Sequence, residues 1–160
     1  MNNVMQDAHT QQLAYHQRRQ HQPGWQDLVQ TLFSGILATA EGEDGHQFLR
    51  MMGGDLARRH PLAACHTVGG LEDSLNQLLA TFDWGEVTLT PGERGLTLTH
   101  IAWPVSPQAD AAGWQAAFAA VLEGAYAAWL QAQGGHDQVP LRWQGPNPQQ
   151  TLLFRYQKGL

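Results

Sequence analysis

Residues 75–90 read LNQLLATFDWGEVTLT. Leu75, Leu78, Leu79 and Phe82 recur at helical steps of three and four, and from Glu86 polar and apolar residues alternate at the two-residue period of a strand. Only Asp83, Trp84 and Gly85 separate the two patterns. A chain that changes from helix to strand within three residues turns sharply there. Gly85 supplies the backbone freedom for a sharp turn, and Trp84 can plug the corner against the sheet. Both read as elements of the fold rather than as a reactive site.

Similar patterns extend along the chain. Pro23 suits the opening of a helix, where its missing N–H is not needed, and Trp25, Leu28, Val29, Leu32, Phe33, Ile36 and Leu37 follow as an apolar stripe. Asp44, with Gln47 at the capping-box position, opens a second helix. Phe48, Met52 and Leu56 mark its expected buried line, and Pro61 stops it. Gly53 and Gly54 sit in mid-helix, where each costs about 1 kcal/mol against Ala; such a pair is tolerated where another backbone must come close. A third helix covers about 70–82. Strands follow at about 84–90 and 96–103, joined by the turn at 91–95 and closed by Pro104 and Pro107. A long Ala-rich helix carries Trp114, Phe118, Val121, Leu122, Ala125, Trp129 and Leu130, with Gly134 and Gly135 to cap it. Two strands, 139–143 and 152–156, complete the chain.

The pattern predicts an α+β domain: one antiparallel sheet of about four strands packed with four main helices, in a single domain spanning 23–160. Residues 1–22 are rich in Gln, His and Asn and are expected to form a flexible arm. His9, His16 and His21 within it are read as a solvated tract rather than a metal site.

Charged residues make up only 14% of the chain, which favours self-association. A net charge of −5 gives no basic footprint for nucleic acid or for an anionic membrane. Cys65, the one cysteine, excludes an intrachain disulfide. The start of the chain has no apolar core of the kind a secretory signal needs, and no run is long enough to span a membrane, so a cytoplasmic location is expected.

Residues with chemical potential are few. Asp83, Glu86 and Glu123 lie beside large apolar residues, where burial could raise a carboxyl pKa; each is read as facing water at the edge of an element. His60, Cys65 and His66 fit no zinc spacing, so no metal or other cofactor is expected. Trp25, Trp114 and Trp129 fall on helical apolar stripes and read as core. Trp103 and Trp143 close strands and are weak candidates for ligand or subunit contact.

Three segments carry a resemblance. They are FLRMMGGDLARRHPLAACHTVGGLEDSLNQLLATFDWGEVTL at 48–89, VLEGAYAAWLQAQGG at 121–135 and TLLFRYQKGL at 151–160. In this order they resemble the cellulose synthase operon protein D family, over a region running from about Pro23 to the end. The resemblance implies a non-catalytic subunit that forms a ring-shaped homo-octamer, a tetramer of dimers, with passages for nascent β-1,4-glucan. It would work beside other cellulose synthase subunits, near the inner membrane if cytoplasmic, with a periplasmic location as the alternative. His21, Gln22, Pro23 and Gly24 correspond to the segment that lines the passages in relatives. Gly124 then lets the long helix approach a neighbour closely, as Gly53 does on the second helix, and Glu123 reads as a polar contact from that helix to its partner. Two other readings stay open: a small-ligand sensor domain of four-vinyl-reductase type, with a pocket between helices and sheet, and a glucan-cleaving enzyme using Asp83 with Glu86 or Glu123.

Overall fold

The computed structural model describes residues 2–105, 110–135 and 139–157. Pro107 and the last three residues of the C-terminal segment lie outside the described residues. The elements are α1 (Asn2–Gln20), α2 (Trp25–Thr39), α3 (Asp44–Arg59), α4 (Val68–Phe82), β1 (Glu86–Gly92), β2 (Gly95–Ile101), α5 (Ala111–Ala132), β3 (Leu141–Trp143) and β4 (Leu152–Gln157). The strands form one antiparallel sheet in the order β1-β2-β4-β3. This is the expected α+β fold with five helices in place of four. The additional helix, α1, occupies the stretch expected to carry no element. Its Gln, Ala, Leu, Met and Arg residues are good helix formers, although they trace no apolar stripe. Between positions 4 and 19 only Leu13 and Gln17 are even partly covered.

The centre of the molecule is α5. Trp114, Phe118, Leu122, Ala125, Tyr126 and Trp129 are all buried, as befits a helix enclosed on most sides. Its most extensive neighbour is α3, and the two cross at their smallest residues. A Cβ on Gly53 would overlap the Val121 carbonyl oxygen, and one on Gly124 would overlap the carbonyl oxygen of Arg50. The two backbones are therefore in direct contact, each filling the notch left by the other's missing side chain. This geometry corrects the expected buried line of α3. Gly45, Leu49, Gly53 and Ala57 face inward, whereas Phe48 is 44% and Met52 38% exposed. Large side chains on the crossing face would hold the helices apart. The helix also begins without the expected cap: its N-cap is Glu43, with no side-chain bond.

A buried ion pair closes the crossing. Glu123, 5% exposed, accepts from Arg50 Nε at 2.7 Å and from the Trp143 amide at 2.9 Å, with Arg142 Nη1 at 3.4 Å. The contact read as reaching a partner is thus made within the chain.

Helix side chains also cover both edges of the sheet. On β1, Asn76 accepts from the Val87 amide at 2.7 Å and donates to its carbonyl at 2.9 Å, while Glu72 accepts from the Leu89 amide at 2.7 Å. Glu72 and Asn76 are four residues apart on α4, a rise of about 6 Å. Val87 and Leu89 are two apart on a strand, about 6.7 Å, so the two ladders match. On β3, Glu123 takes the outward Trp143 amide. Unpaired edges invite strand addition, and here the amides of Val87, Leu89 and Trp143 are already held.

Beneath the sheet, His100 is fully buried. Its Nε2–H donates to the Trp84 carbonyl at 2.6 Å, which leaves Nδ1 to accept from the Tyr126 hydroxyl, also at 2.6 Å. Burial lowers the His100 pKa to about 4, partly offset by the Trp84 bond, and raises that of Tyr126.

Two outcomes follow from this packing. Gly53→Ala and Gly124→Ala will each destabilise the fold by about 1–3 kcal/mol or more through overpacking. Gly35→Ala on α2, where a Cβ meets only open space, will gain up to about 1 kcal/mol. Urea unfolding of the three variants checks this, and equal effects at all three sites would refute the crossing. The second outcome concerns acid. His100 titrates near 6.5 when unfolded and about 4 when folded, so its neutral form is the one the fold keeps. That stability is present above pH 6.5 and is lost as the pH falls towards 4, by about 3 kcal/mol. His100→Gln, which retains a donor and an acceptor, should flatten this slope in urea titrations run between pH 7 and 4.

Candidate functional site: the α1–α2 junction and its aromatic cavity

His21, Gln22, Pro23 and Gly24 form the turn between α1 and α2. Pro23 lies two residues before α2 rather than in its first turn. Gly24 has φ +84°, and its amide donates to Asp27 Oδ2 at 3.3 Å. Gln22, Pro23 and Gly24 are exposed, and His21 is half-buried. Gln26 is the turn's internal brace: its Oε1 pairs with His21 Nδ1 and accepts from the Gln22 amide at 3.2 Å. The turn therefore presents backbone and short polar groups on a fixed loop.

The α4–β1 corner lies close by. Asp83 takes the left-handed conformation at the end of α4, φ 57°, and Gly85 follows at φ +87°. A Cβ at Gly85 would overlap the Ile101 carbonyl oxygen. The Trp84 ring stands between Phe82, 5.0 Å away, and Phe118, 5.2 Å away. Its carbonyl is the one held by His100. The corner is thus fixed from both sides.

Junction and corner enclose a cavity of about 330 Å³. Trp25, Phe33, Trp84, Trp114 and Phe118 supply its apolar wall, and Gln20, Gln22, Gln26 and Asp83 its polar atoms. Among the described residues none from a strand lines it, so it is not the helix-to-sheet pocket that a sensor domain would need. Gln20, which closes α1, is 7% exposed. Its Nε2 donates to the Ala102 carbonyl at 2.6 Å, and its buried Oε1 has no donor among the described residues.

The other candidate residues divide clearly. Asp83 and Glu86 are exposed on a second hollow, beneath α1, and Glu123 lines neither cavity. Its carboxylate is held in the α3–α5 crossing, so the three carboxylates do not form one cleft. His60 packs its ring edge-on to Phe82 at 4.8 Å, and the Cys65 amide donates to Gln133 Oε1 at 2.8 Å. Among the described residues, no group of three His, Cys, Asp or Glu side chains is placed to hold a metal. Of the tryptophans, Trp114 and Trp129 are core, but Trp25 is 71% exposed. Trp103, read as a weak candidate for ligand or subunit contact, is buried with its Nε1 donating to the Gln150 carbonyl at 3.2 Å. Trp143 is half-buried.

Sequence reasoning missed two features here. Gln20 sits in a Gln-rich tract that gives no signal to single it out. The outward apolar face of α2 is legible in principle. Trp25, Leu28 and Leu32 are exposed while Val29, Phe33, Ile36 and Leu37 turn inward, so the stripe is too wide for a single contact.

Comparison with known proteins bears on the whole arrangement. The family model for the D subunit of cellulose synthase matches residues 11–157, which includes both the junction and the corner and reaches back into α1. The cellulose synthase operon protein D of Komagataeibacter xylinus is 33% identical over 117 residues, 71% of this chain and 73% of its own. One from Komagataeibacter sucrofermentans matches to the same extent. With a family match over nearly its full length and one-third identity across most of it, this chain belongs to the cellulose synthase D-subunit family.

Proposed function

We propose that this chain is a non-catalytic accessory subunit of bacterial cellulose synthesis, assembling into a homo-octameric ring built as a tetramer of dimers. The ring guides nascent β-1,4-glucan chains towards crystalline cellulose in the biofilm matrix, and works beside the other synthase subunits. Family membership ties the chain to cellulose synthesis.

The observation that carries the assembly is the apolar surface left uncovered on two adjoining helices. Trp25, Leu28 and Leu32 of α2 and Phe48, Met51 and Met52 of α3 are all exposed. Clusters of this kind mark interaction surfaces. With both sheet edges capped by helix side chains, the contact between copies is helical. The α1 helix supports the same reading. Helices hold in water chiefly through tertiary packing, and within one copy α1 has almost none.

In the ring, His21, Gln22, Pro23 and Gly24 line the glucan passages. A sliding polymer is served by many weak hydrogen bonds rather than one deep pocket, and this turn offers exposed polar groups. Asp83, Glu86 and Glu123 are not brought together as an acid and base. Among the described residues no helix is long and apolar enough to cross a membrane. The ring works on the cytoplasmic side, near the inner membrane, as a scaffold beneath the synthase.

Light scattering of the purified chain should give eight times its 17.7-kDa mass. Leu28→Asp with Leu32→Asp, both on the surface of a single copy, should leave a smaller, folded species. A wild-type monomer at micromolar concentration would overturn the assembly. In cells, loss of the chain should lower cellulose yield or order while synthase activity in membranes persists.

A further inference from the structure

We propose that α1 is an arm on a pivot, held in its observed direction by one releasable latch, the Gln20 side-chain amide on the Ala102 carbonyl. Only the consequence for the passage rests on the function proposed above; the latch stands without it.

The way α1 is attached singles out Gln20. Among the described residues, no α1 side chain belongs to the hydrophobic core, and no ion pair joins this helix to the rest of the chain. Arg19 turns onto its own helix, its guanidinium 5.9 Å over the Tyr15 ring and Nη1 3.3 Å from the Tyr15 hydroxyl. Hollows of about 580 and 280 Å³ lie along two sides of α1, one towards Asp83 and Glu86, the other towards Val105. Between them Gln20, 7% exposed, makes the one hydrogen bond from α1 to the body seen among the described residues. Its Nε2 donates to the Ala102 carbonyl at 2.6 Å.

That carbonyl is a fixed post. Ala102 follows β2 with φ +55°, a left-handed conformation that residues other than Gly seldom adopt. Gly85 stands against it: a Cβ there would overlap the Ile101 and Ala102 carbonyl oxygens. The exit of β2 and the α4–β1 corner are therefore in backbone contact, which holds the Ala102 carbonyl in place.

The latch on this post is weak. Gln20 Oε1 is buried and has no donor among the described residues. An unmet buried acceptor costs as much as one neutral hydrogen bond returns, or more. Withdrawing Gln20 loses one bond and rehydrates one oxygen, and the two effects nearly offset. The docked direction of α1 is preferred only slightly.

The pivot is the step from Gln20 to His21. From His21 onward the chain is tied to α2. Gln26 Oε1 pairs with His21 Nδ1 and accepts from the Gln22 amide, the Gln26 amide donates to the Gln22 carbonyl at 3.0 Å, and Asp27 accepts from the Gly24 amide. Freed of the latch, α1 swings while His21, Gln22, Pro23 and Gly24 stay in place. One side of the proposed passage segment then opens.

Pulsed electron spin resonance on the full chain tests this. Spin labels go on Gln12→Cys of α1 and Thr81→Cys of α4, both exposed positions, in a Cys65→Ser background. Labelled chain is diluted into excess unlabelled chain, so that distances within one copy are read whether or not a ring forms. The latch predicts a dominant docked distance and a minor second one. Gln20→Met, of similar length but without a donor, should lower the docked-to-free ratio about tenfold, the effect of losing one hydrogen bond. Gln20→Glu sets a carboxylate against the carbonyl and should lower it further. Gln17→Met, one turn earlier and partly covered, should leave the ratio unchanged, and the urea midpoint should be the same in every variant because the core is untouched. A docked distance that survives both Gln20 variants overturns the latch, as does a Gln17→Met effect as large as that of Gln20→Met. A wild-type arm with no dominant distance also overturns it, and one with a single sole distance overturns its release. None of these results depends on glucan, so the passage reading can fail while the latch holds.

Discussion

Two helix backbones touch in this protein, and most of its architecture depends on that contact. Gly53 and Gly124 remove the side chains that would separate α3 from α5. The approach brings the Arg50 backbone against Gly124 and its guanidinium onto Glu123. Glu123 then reaches Trp143 and fixes β3 to the same helix. One close crossing therefore sets the position of α3, the end of the sheet and the pairing of a buried charge. Breaking such a pair by removing one partner costs several kcal/mol, because the other is left buried alone.

The same contact determines what remains outside. With the small face of α3 turned inward, Phe48, Met51 and Met52 are exposed, as are Trp25, Leu28 and Leu32 of α2. On the sheet, Asn76 and Glu72 hold the amides of Val87 and Leu89 on β1, and Glu123 holds that of Trp143 on β3. A domain with these edge amides taken and apolar side chains exposed on its helices offers helix surface rather than open strand edge for contact.

The order of elements after residue 23 is legible in the sequence because each carries a period: three and four for the helices, two for strands such as 86–92 and 95–101. The helix-to-strand change at Asp83–Gly85 marks where α4 ends and β1 follows. Three things are not legible, each for a physical reason. The inward face of α3 escapes periodicity because periodicity weighs large residues, and a close crossing selects small ones. The α1 helix has no stripe to reveal it. Trp25 reads as core because a single apolar stripe cannot say which of two apolar faces turns inward. The aromatic cavity belongs to this last group: its wall comes from Phe33, Trp84 and Trp114, on three elements far apart in the chain, and only the fold assembles it.

Amide hydrogen exchange on the intact protein tests the crossing most directly. If α3 and α5 are locked backbone to backbone, the amides of residues 49–57 and 117–126 will be the slowest in the molecule, exchanging only through global unfolding. Exchange there as fast as at the β1–β2 turn around Gly92–Gly95 would contradict the account.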